Sequence, residues 1–147
     1  MSNYSEEQLA LSKLRLENAE SDYASAQIEF EHEHYKAANN RAYYCIFHAI
    51  RAVLALESVD YKSHSQLLGH FNKHYIHAGK FDVSHSKIIS KANSLRTNSD
   101  YNDFFIATKD ESAEAVSGAK VFLIAITAYL AEELSPITDE SISVQDI

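Results

Sequence analysis

The chain has few residues that make turns, with three glycines and one proline among 147 residues. An all-β sandwich or barrel needs a turn roughly every 8–12 residues, so this scarcity excludes that class. Hydrophobic residues form 46% of the chain and charged residues 23%, proportions that are usual in globular proteins. The length fits about one domain. We therefore predict one all-α domain over residues 1–134 and a short acidic tail over residues 135–147.

Cys45 is the single cysteine, which excludes an intramolecular disulfide framework. The first residues have neither the basic start nor the apolar core of a signal peptide. The longest apolar run, Val121–Ala131, is interrupted by Thr127 and is shorter than the ~20 residues that a membrane-spanning helix needs. We therefore expect a cytoplasmic protein without a membrane segment.

Capping-box patterns predict three helix starts, at Ser5-x-x-Gln8, Ser63-x-x-Gln66 and Thr108-x-x-Glu111. Apolar residues then recur at helical spacing. They predict an up-and-down bundle of about five helices, with the second and the last at its centre. The polar segment 97–103 is predicted to be a loop or a break between helices, because its side chains compete for backbone hydrogen bonds. The predicted helices cover residues 6–33, 35–57, 63–79, 82 or 84 to 96, and 108–134.

One polar stripe follows the second predicted helix, formed by Arg41, Tyr44, His48 and Arg51 at spacings of three, four and three. In one interpretation these residues line a pocket or subunit seam that binds an anionic group such as phosphate. In the other they form the solvent-exposed edge of the helix, where long side chains keep their charged ends in water. These four residues are the candidate ligand-binding set.

A second polar group combines an arginine, an acid and a phenol: Arg96, Asp100 and Tyr101. They fall in the predicted loop region, where functional residues concentrate. The alternative is an Arg–Asp pair that closes a helix end, because cations are favoured near helix C-termini. These three residues are the candidate catalytic set.

No metal or cofactor is predicted. Glu31-x-x-His34 has the spacing of a di-iron bundle, but such bundles need a second copy on another helix, and the only further copy, Glu29-x-x-His32, overlaps the first. His70, His74 and His77 share one helical face, and no acidic neighbour in the sequence would orient their rings on a metal. The three glycines lie far apart, which excludes a glycine-rich phosphate loop.

The net charge of −8 opposes general binding to nucleic acid, but the charge is unevenly distributed. Residues 62–96 carry +5, from six basic residues against Asp82, so the rest of the chain carries −13. The same segment holds five of the eight histidines and becomes more basic below about pH 6.5. An anionic partner is therefore expected at this basic segment, which ends at Arg96.

Several segments together resemble the HEPN domain (higher eukaryotes and prokaryotes nucleotide-binding). They are Ala38–Leu54, with its Arg-Ala-Tyr-Tyr-x-x-Phe-His run, Ser63-His-Ser, Phe71–Gly79 and the Arg…Asp-Tyr ending at Arg96 to Tyr101. The resemblance extends over nearly the whole chain and is nearest to small stand-alone prokaryotic proteins. It implies a bundle of four to five helices, usually dimeric and often encoded beside a minimal nucleotidyltransferase that neutralises it.

The same resemblance implies a toxin that cleaves RNA without a metal, using an arginine followed after four to six residues by a histidine. Arg96 fits the arginine, but Tyr101, Asn102 and Asp103 occupy the three possible histidine positions. Imidazole transfers protons near neutral pH, whereas a phenol with a pKa near 10 needs a large shift to do so. Loss of general acid–base help costs roughly 10²–10⁴-fold in rate.

Two functional hypotheses follow. In the first, a module with little or no catalysis binds a nucleotide, RNA or a nucleotidyltransferase partner through Arg96–Tyr101 and the basic segment. In the second, the protein is a metal-independent ribonuclease in which Arg96 holds the phosphate and Asp100, Tyr101 or His48 transfers the proton. The missing histidine favours the first.

Overall fold

A computed structural model describes residues 3–135 of the chain. Five α-helices and one π-helical turn make up this part, and it contains no strand. The predicted all-α bundle of about five helices is confirmed. The helices are α1 (Glu6–Glu31), α2 (Tyr35–Ala55), α3 (His64–Phe71), α4 (Ser84–Tyr101) and α5 (Lys109–Leu134), and the π-helical turn at Asn72–Ile76 continues α3.

The helix starts lie where the capping patterns predicted them. The side chain of Ser5 accepts a hydrogen bond from the backbone of Gln8, and the Gln8 side chain accepts one in return from the Ser5 N–H. At the starts of α3 and α5, the side chains of Ser63 and Thr108 likewise accept a hydrogen bond from the backbone N–H three residues later. For α4, the Asp82 carboxylate accepts the Ser84 N–H. These caps satisfy backbone groups that have no partner inside the helix.

The α1–α2 boundary has no glycine or proline, and the predicted end of α1 is two residues too late. The helix ends at Glu31, and Glu33 adopts a left-handed conformation with φ of 62°. This conformation, which is uncommon outside glycine, lets α2 begin at Tyr35 and fold back along α1. The predicted tail of residues 135–147 lies, apart from Ser135, outside the described residues.

α2 is the central helix and packs against α1, α4 and α5. Most of its alanines and its large apolar side chains Tyr43, Ile46 and Ile50 are fully buried. α5 buries one face, with Phe122 and Ile126 inside, and exposes the other. Among the described helices, α5 alone has the length and composition of a membrane span. Its buried face packs against α1, α2 and α4.

The prediction of a loop over residues 97–103 is wrong for residues 97–101, because α4 continues through Tyr101. Two α2 asparagines account for the difference. The Asn39 side-chain amide donates to Ser99 Oγ at 3.1 Å, and the Asn40 amide donates to Asp100 Oδ2 at 2.9 Å. Because these polar side chains bond to α2, they do not compete with the helical backbone of α4. Arg96, Asp100 and Tyr101 therefore lie on one helix.

Candidate functional site

Arg96 lies on the last part of α4 with its side chain turned toward α2. Only 7% of the residue is exposed. The guanidinium carbon lies 4.4 Å from the ring centroid of Tyr43, 5.7 Å from that of Tyr44 and 5.9 Å from that of Tyr101. A guanidinium among aromatic rings is attracted by their π-faces. The rings fix the position of the cation without neutralising its charge.

The polar partners of Arg96 compensate its charge incompletely. Its Nη1 lies 3.9 Å from Asp100 Oδ2, which is too long for a hydrogen bond. The buried Nε has no hydrogen-bond partner. Asp100 instead accepts a hydrogen bond from Asn40. A buried charge without a close counter-ion is costly, so this position favours the approach of an anion.

A histidine from α3 completes the surroundings of Arg96. Arg96 Nη2 lies 3.2 Å from Nδ1 of His64, and the Tyr43 hydroxyl lies 3.0 Å from the same nitrogen. The imidazole also packs on Phe47, with ring centroids 4.3 Å apart. His64 is the first residue of α3, directly after the Ser63 cap. The start of α3 thus places this ring against α2 and α4.

The protonation state of His64 follows from these contacts. Burial, then the positive charges of Arg96 and Arg51, lower the pKa of His64 below its usual value. The imidazole is therefore neutral at neutral pH. Because a guanidinium can only donate, we assign Nδ1 as the acceptor and Nε2 as the nitrogen that carries the proton. The half-buried ring keeps access to solvent.

The α2 stripe makes different contacts from those of Arg96. Arg41 Nη1 pairs with Asp22 of α1 at 3.0 Å, and Arg51 Nη2 pairs with Asp60 at 2.9 Å. His48 Nε2 lies 3.8 Å from Asp22, and burial lowers the pKa of its imidazole. The two cations thus already have carboxylate partners within the chain.

Tyr44 connects the two predicted sets of residues. Its ring lies under both guanidinium groups, at 5.2 Å from the guanidinium carbon of Arg41 and 5.7 Å from that of Arg96. Of the α2 stripe, Tyr44 therefore contacts Arg96 and Arg41 lines a surface cavity with Asp100, whereas Arg51 pairs with Asp60 of the α2–α3 connection. Within the candidate catalytic set, Arg96 is buried and Tyr101 is 74% exposed.

Histidine contacts elsewhere involve carboxylates and other rings. His70 and His74 have ring centroids 4.4 Å apart, and His70 Nε2 lies 3.5 Å from Glu57 Oε2. In the part of the chain that the structure describes, no group of three His, Cys, Asp or Glu side chains has the arrangement of a metal site.

Comparison with known proteins places the chain in a family. The model of the HEPN domain matches residues 12–129. The chain belongs to the HEPN domain family. Relatives include "Putative toxin MJ0605" of Methanocaldococcus jannaschii, 31% identical over 81% of this chain and 88% of the relative. A UPF0332 protein of Thermotoga maritima is 26% identical over 69% of this chain and 76% of the relative.

As a HEPN domain, this protein was expected to carry a histidine separated from its arginine by four to six residues. Those positions hold Tyr101, Asn102 and Asp103. The structure instead brings His64 to Arg96 from a different helix, and sequence reasoning did not assign it to the site. The only signal was its place in the Ser63-His-Ser segment of the family resemblance. Nothing in the local spacing predicts a contact across 32 residues.

Proposed function

We propose that this HEPN domain is a toxin-like module that binds RNA through a phosphate at Arg96. One observation carries the proposal: a guanidinium held among three aromatic rings, almost fully buried, whose carboxylate partner Asp100 lies at 3.9 Å, beyond hydrogen-bond distance. Arginine is well suited to phosphate, because its planar fork can donate two parallel hydrogen bonds. Because Asp100 Oδ2 lies 3.9 Å from Arg96 Nη1, it compensates the positive charge of Arg96 only in part. A bound phosphate would supply the remaining negative charge.

The surroundings support RNA rather than an isolated phosphate ion. The basic segment of residues 62–96 supplies positive charge for neighbouring phosphates. Tyr101 is largely exposed beside Arg96. Exposed aromatic rings stack on the unpaired bases of single-stranded RNA. A free nucleotide offers the same phosphate and base chemistry and is the alternative ligand.

We also propose that the active form is a homodimer in the cytoplasm. Phe104 is 94% exposed and Ile106 is 81% exposed, directly after α4. Large apolar side chains clustered next to a functional site are typical of an interaction surface. A second copy that covers this segment would bring two Arg96 sites close to one another. A minimal nucleotidyltransferase encoded nearby is the proposed neutralising partner, in keeping with the toxin names of two relatives.

A metal-independent ribonuclease is the second candidate function. The observation that favours it is the imidazole of His64 at 3.2 Å from Arg96, because an imidazole can transfer a proton at neutral pH. Asp100 and Tyr101 adjoin the same arginine. His48, the other residue considered for proton transfer, contacts Asp22.

The two functions are separated by assays with total tRNA in the presence of EDTA. For the binding function, the wild-type protein shifts tRNA in a gel, Arg96→Ala abolishes the shift, and the RNA stays intact. For the ribonuclease, the wild-type protein cleaves the tRNA and Arg96→Ala does not. Lys13→Ala, which removes an exposed cation outside the basic segment, is the control for loss of charge and should keep the shift, whereas Lys87→Ala within the basic segment should weaken the shift without abolishing it. Equal binding by wild type, Arg96→Ala and Lys87→Ala contradicts the proposed site.

A further inference from the structure

We propose that His64 is the second phosphate-binding residue of this site, donating its Nε2–H to the phosphate that Arg96 binds, so that RNA binding takes up a proton at His64. The proposal rests on the proposed function of Arg96. It assigns a specific role to a residue that lies outside the arginine-containing segment of α4. It also gives the site a dependence on pH that a guanidinium alone would not have.

The geometry of the imidazole supports this role. Nδ1 contacts one group from α2, the Tyr43 hydroxyl at 3.0 Å, and one group from α4, Arg96 Nη2 at 3.2 Å. The Phe47 ring lies against the imidazole face at 4.3 Å between centroids. These contacts hold the ring in one orientation, with the protonated Nε2 on the other side of the ring from the two partners of Nδ1. In the proposed complex, a phosphate bound to the guanidinium extends past Nδ1 along the edge of the half-exposed imidazole to this N–H.

The charges around His64 determine the sign of the pH effect. Arg51 of α2 and Arg96 of α4 are cations that disfavour the imidazolium, and burial acts in the same direction. Tyr43 and Tyr44 face the ring from α2 without a formal charge. Asp100 of α4 is the nearby carboxylate, 3.9 Å from Arg96 Nη1. In the free protein His64 is therefore neutral at neutral pH.

A bound phosphate changes this balance, because it adds a negative charge beside both Arg96 and His64. An opposite charge within about 4–6 Å typically moves a pKa by about 1–3 toward the charged form. The pKa of His64 therefore rises when phosphate binds. The added proton goes to Nδ1, which then donates to the Tyr43 hydroxyl oxygen, while Arg96 Nη2 turns from Nδ1 to donate to the phosphate. By linkage, the protonated protein binds phosphate more tightly. A His64 pKa that is higher by about 1 in the complex corresponds to a roughly tenfold gain in affinity at low pH.

The experiment measures binding of a short fluorescent 2′-O-methyl RNA, which cannot be cleaved by attack of its own 2′-hydroxyl. The wild-type protein should bind several-fold more tightly at pH 5.5 than at pH 7.5. His64→Asn should weaken binding at pH 7.5, because it removes the Nε2–H donor, and should lose most of the gain at pH 5.5. His32→Asn, which changes an exposed histidine outside the basic segment in the same way, should retain the gain.

An NMR titration of the histidine side chains gives a second readout that needs no variant in the assay. The His64 resonances, assigned by their loss in His64→Asn, should titrate at higher pH with RNA than without it. Equal titration in both states overturns the proposal, as does a gain in affinity at low pH that His64→Asn leaves intact. Binding that does not depend on Arg96 contradicts the proposed function instead, so the two failures are distinguishable.

Discussion

His64 and Arg96 lie 32 residues apart in the chain, yet their Nδ1 and Nη2 atoms are 3.2 Å apart. The contact joins the first residue of α3 to the last part of α4, over the Tyr43 ring of α2. It places a guanidinium beside an imidazole, the two groups that the resemblance to HEPN domains led us to expect within one segment of the chain. The combination in this protein depends on packing of three helices rather than on a local motif.

Asn39 should control the C-terminal turn of α4. It is fully buried, and its amide donates to Ser99 Oγ. Asn39→Ala removes this bond and leaves a small space, so we expect a loss of about 1–3 kcal/mol in the free energy of unfolding. Hydrogen exchange at residues 99–101 should accelerate as well, and Arg96-dependent RNA binding should weaken.

Ser99→Ala is the matched variant for Asn39→Ala, because it removes the acceptor of the same bond from the other helix. It should accelerate exchange in the same turn. Unchanged exchange in both variants would show that α4 extends to Tyr101 without help from α2.

The two faces of α5 should respond differently to the same truncation. Ile126 is fully buried and Ile124 is 60% exposed. Ile126→Ala should cost about 2–5 kcal/mol in urea unfolding, because it creates a cavity in the core. Ile124→Ala should change stability by less than about 0.5 kcal/mol. Equal losses would contradict the described orientation of α5.

The buried histidine of α4 should make stability fall in mild acid. Burial lowers the pKa of His85, against a smaller opposite effect of Asp82. The unfolded chain therefore takes up a proton near pH 6.5 before the folded chain does, so folding weakens as the pH falls through that value. Unfolding by urea at pH 7.5 and at pH 5.5 measures the loss.

His85→Gln should reduce the loss of stability between pH 7.5 and pH 5.5, whereas His77→Asn at an exposed position should not. The same loss in His85→Gln as in the wild type would assign the acid sensitivity to other groups. His48 and His64, whose pKa values are also lowered by burial, are the next candidates.

The exposed segment after α4 should mediate the proposed homodimer. Phe104→Ser removes the most exposed large apolar side chain of the described chain. If Phe104 lies at the centre of the interface, light scattering should show about 17 kDa in place of about 33 kDa, twice the 16.6 kDa of one chain. Val83→Ser, at another exposed apolar position, should leave the dimer intact. A monomeric wild-type protein at micromolar concentration would remove the dimer proposal.

Local sequence determined much of the helical framework. The caps at Ser5, Ser63 and Thr108 act over three residues, so their patterns were sufficient to predict where three helices begin. The apolar spacing predicted the bundle and the central place of α2, because a helix that is apolar almost all round must be buried. Arg96 was identified first as part of a polar group with Asp100 and Tyr101 and then from the family resemblance of its segment.

Tertiary structure decided the end of α4 and the composition of the site. Residues 97–101 carry side chains that favour a loop locally, but Asn39 and Asn40 bind two of them and leave the helical backbone intact. His64 reaches Arg96 only because α3 and α4 pack on the same part of α2. The spacing of residues in the sequence predicts contacts between side chains that are only a few residues apart. The contacts made by Asn39, Asn40 and His64 form only when separate helices bury their apolar faces together.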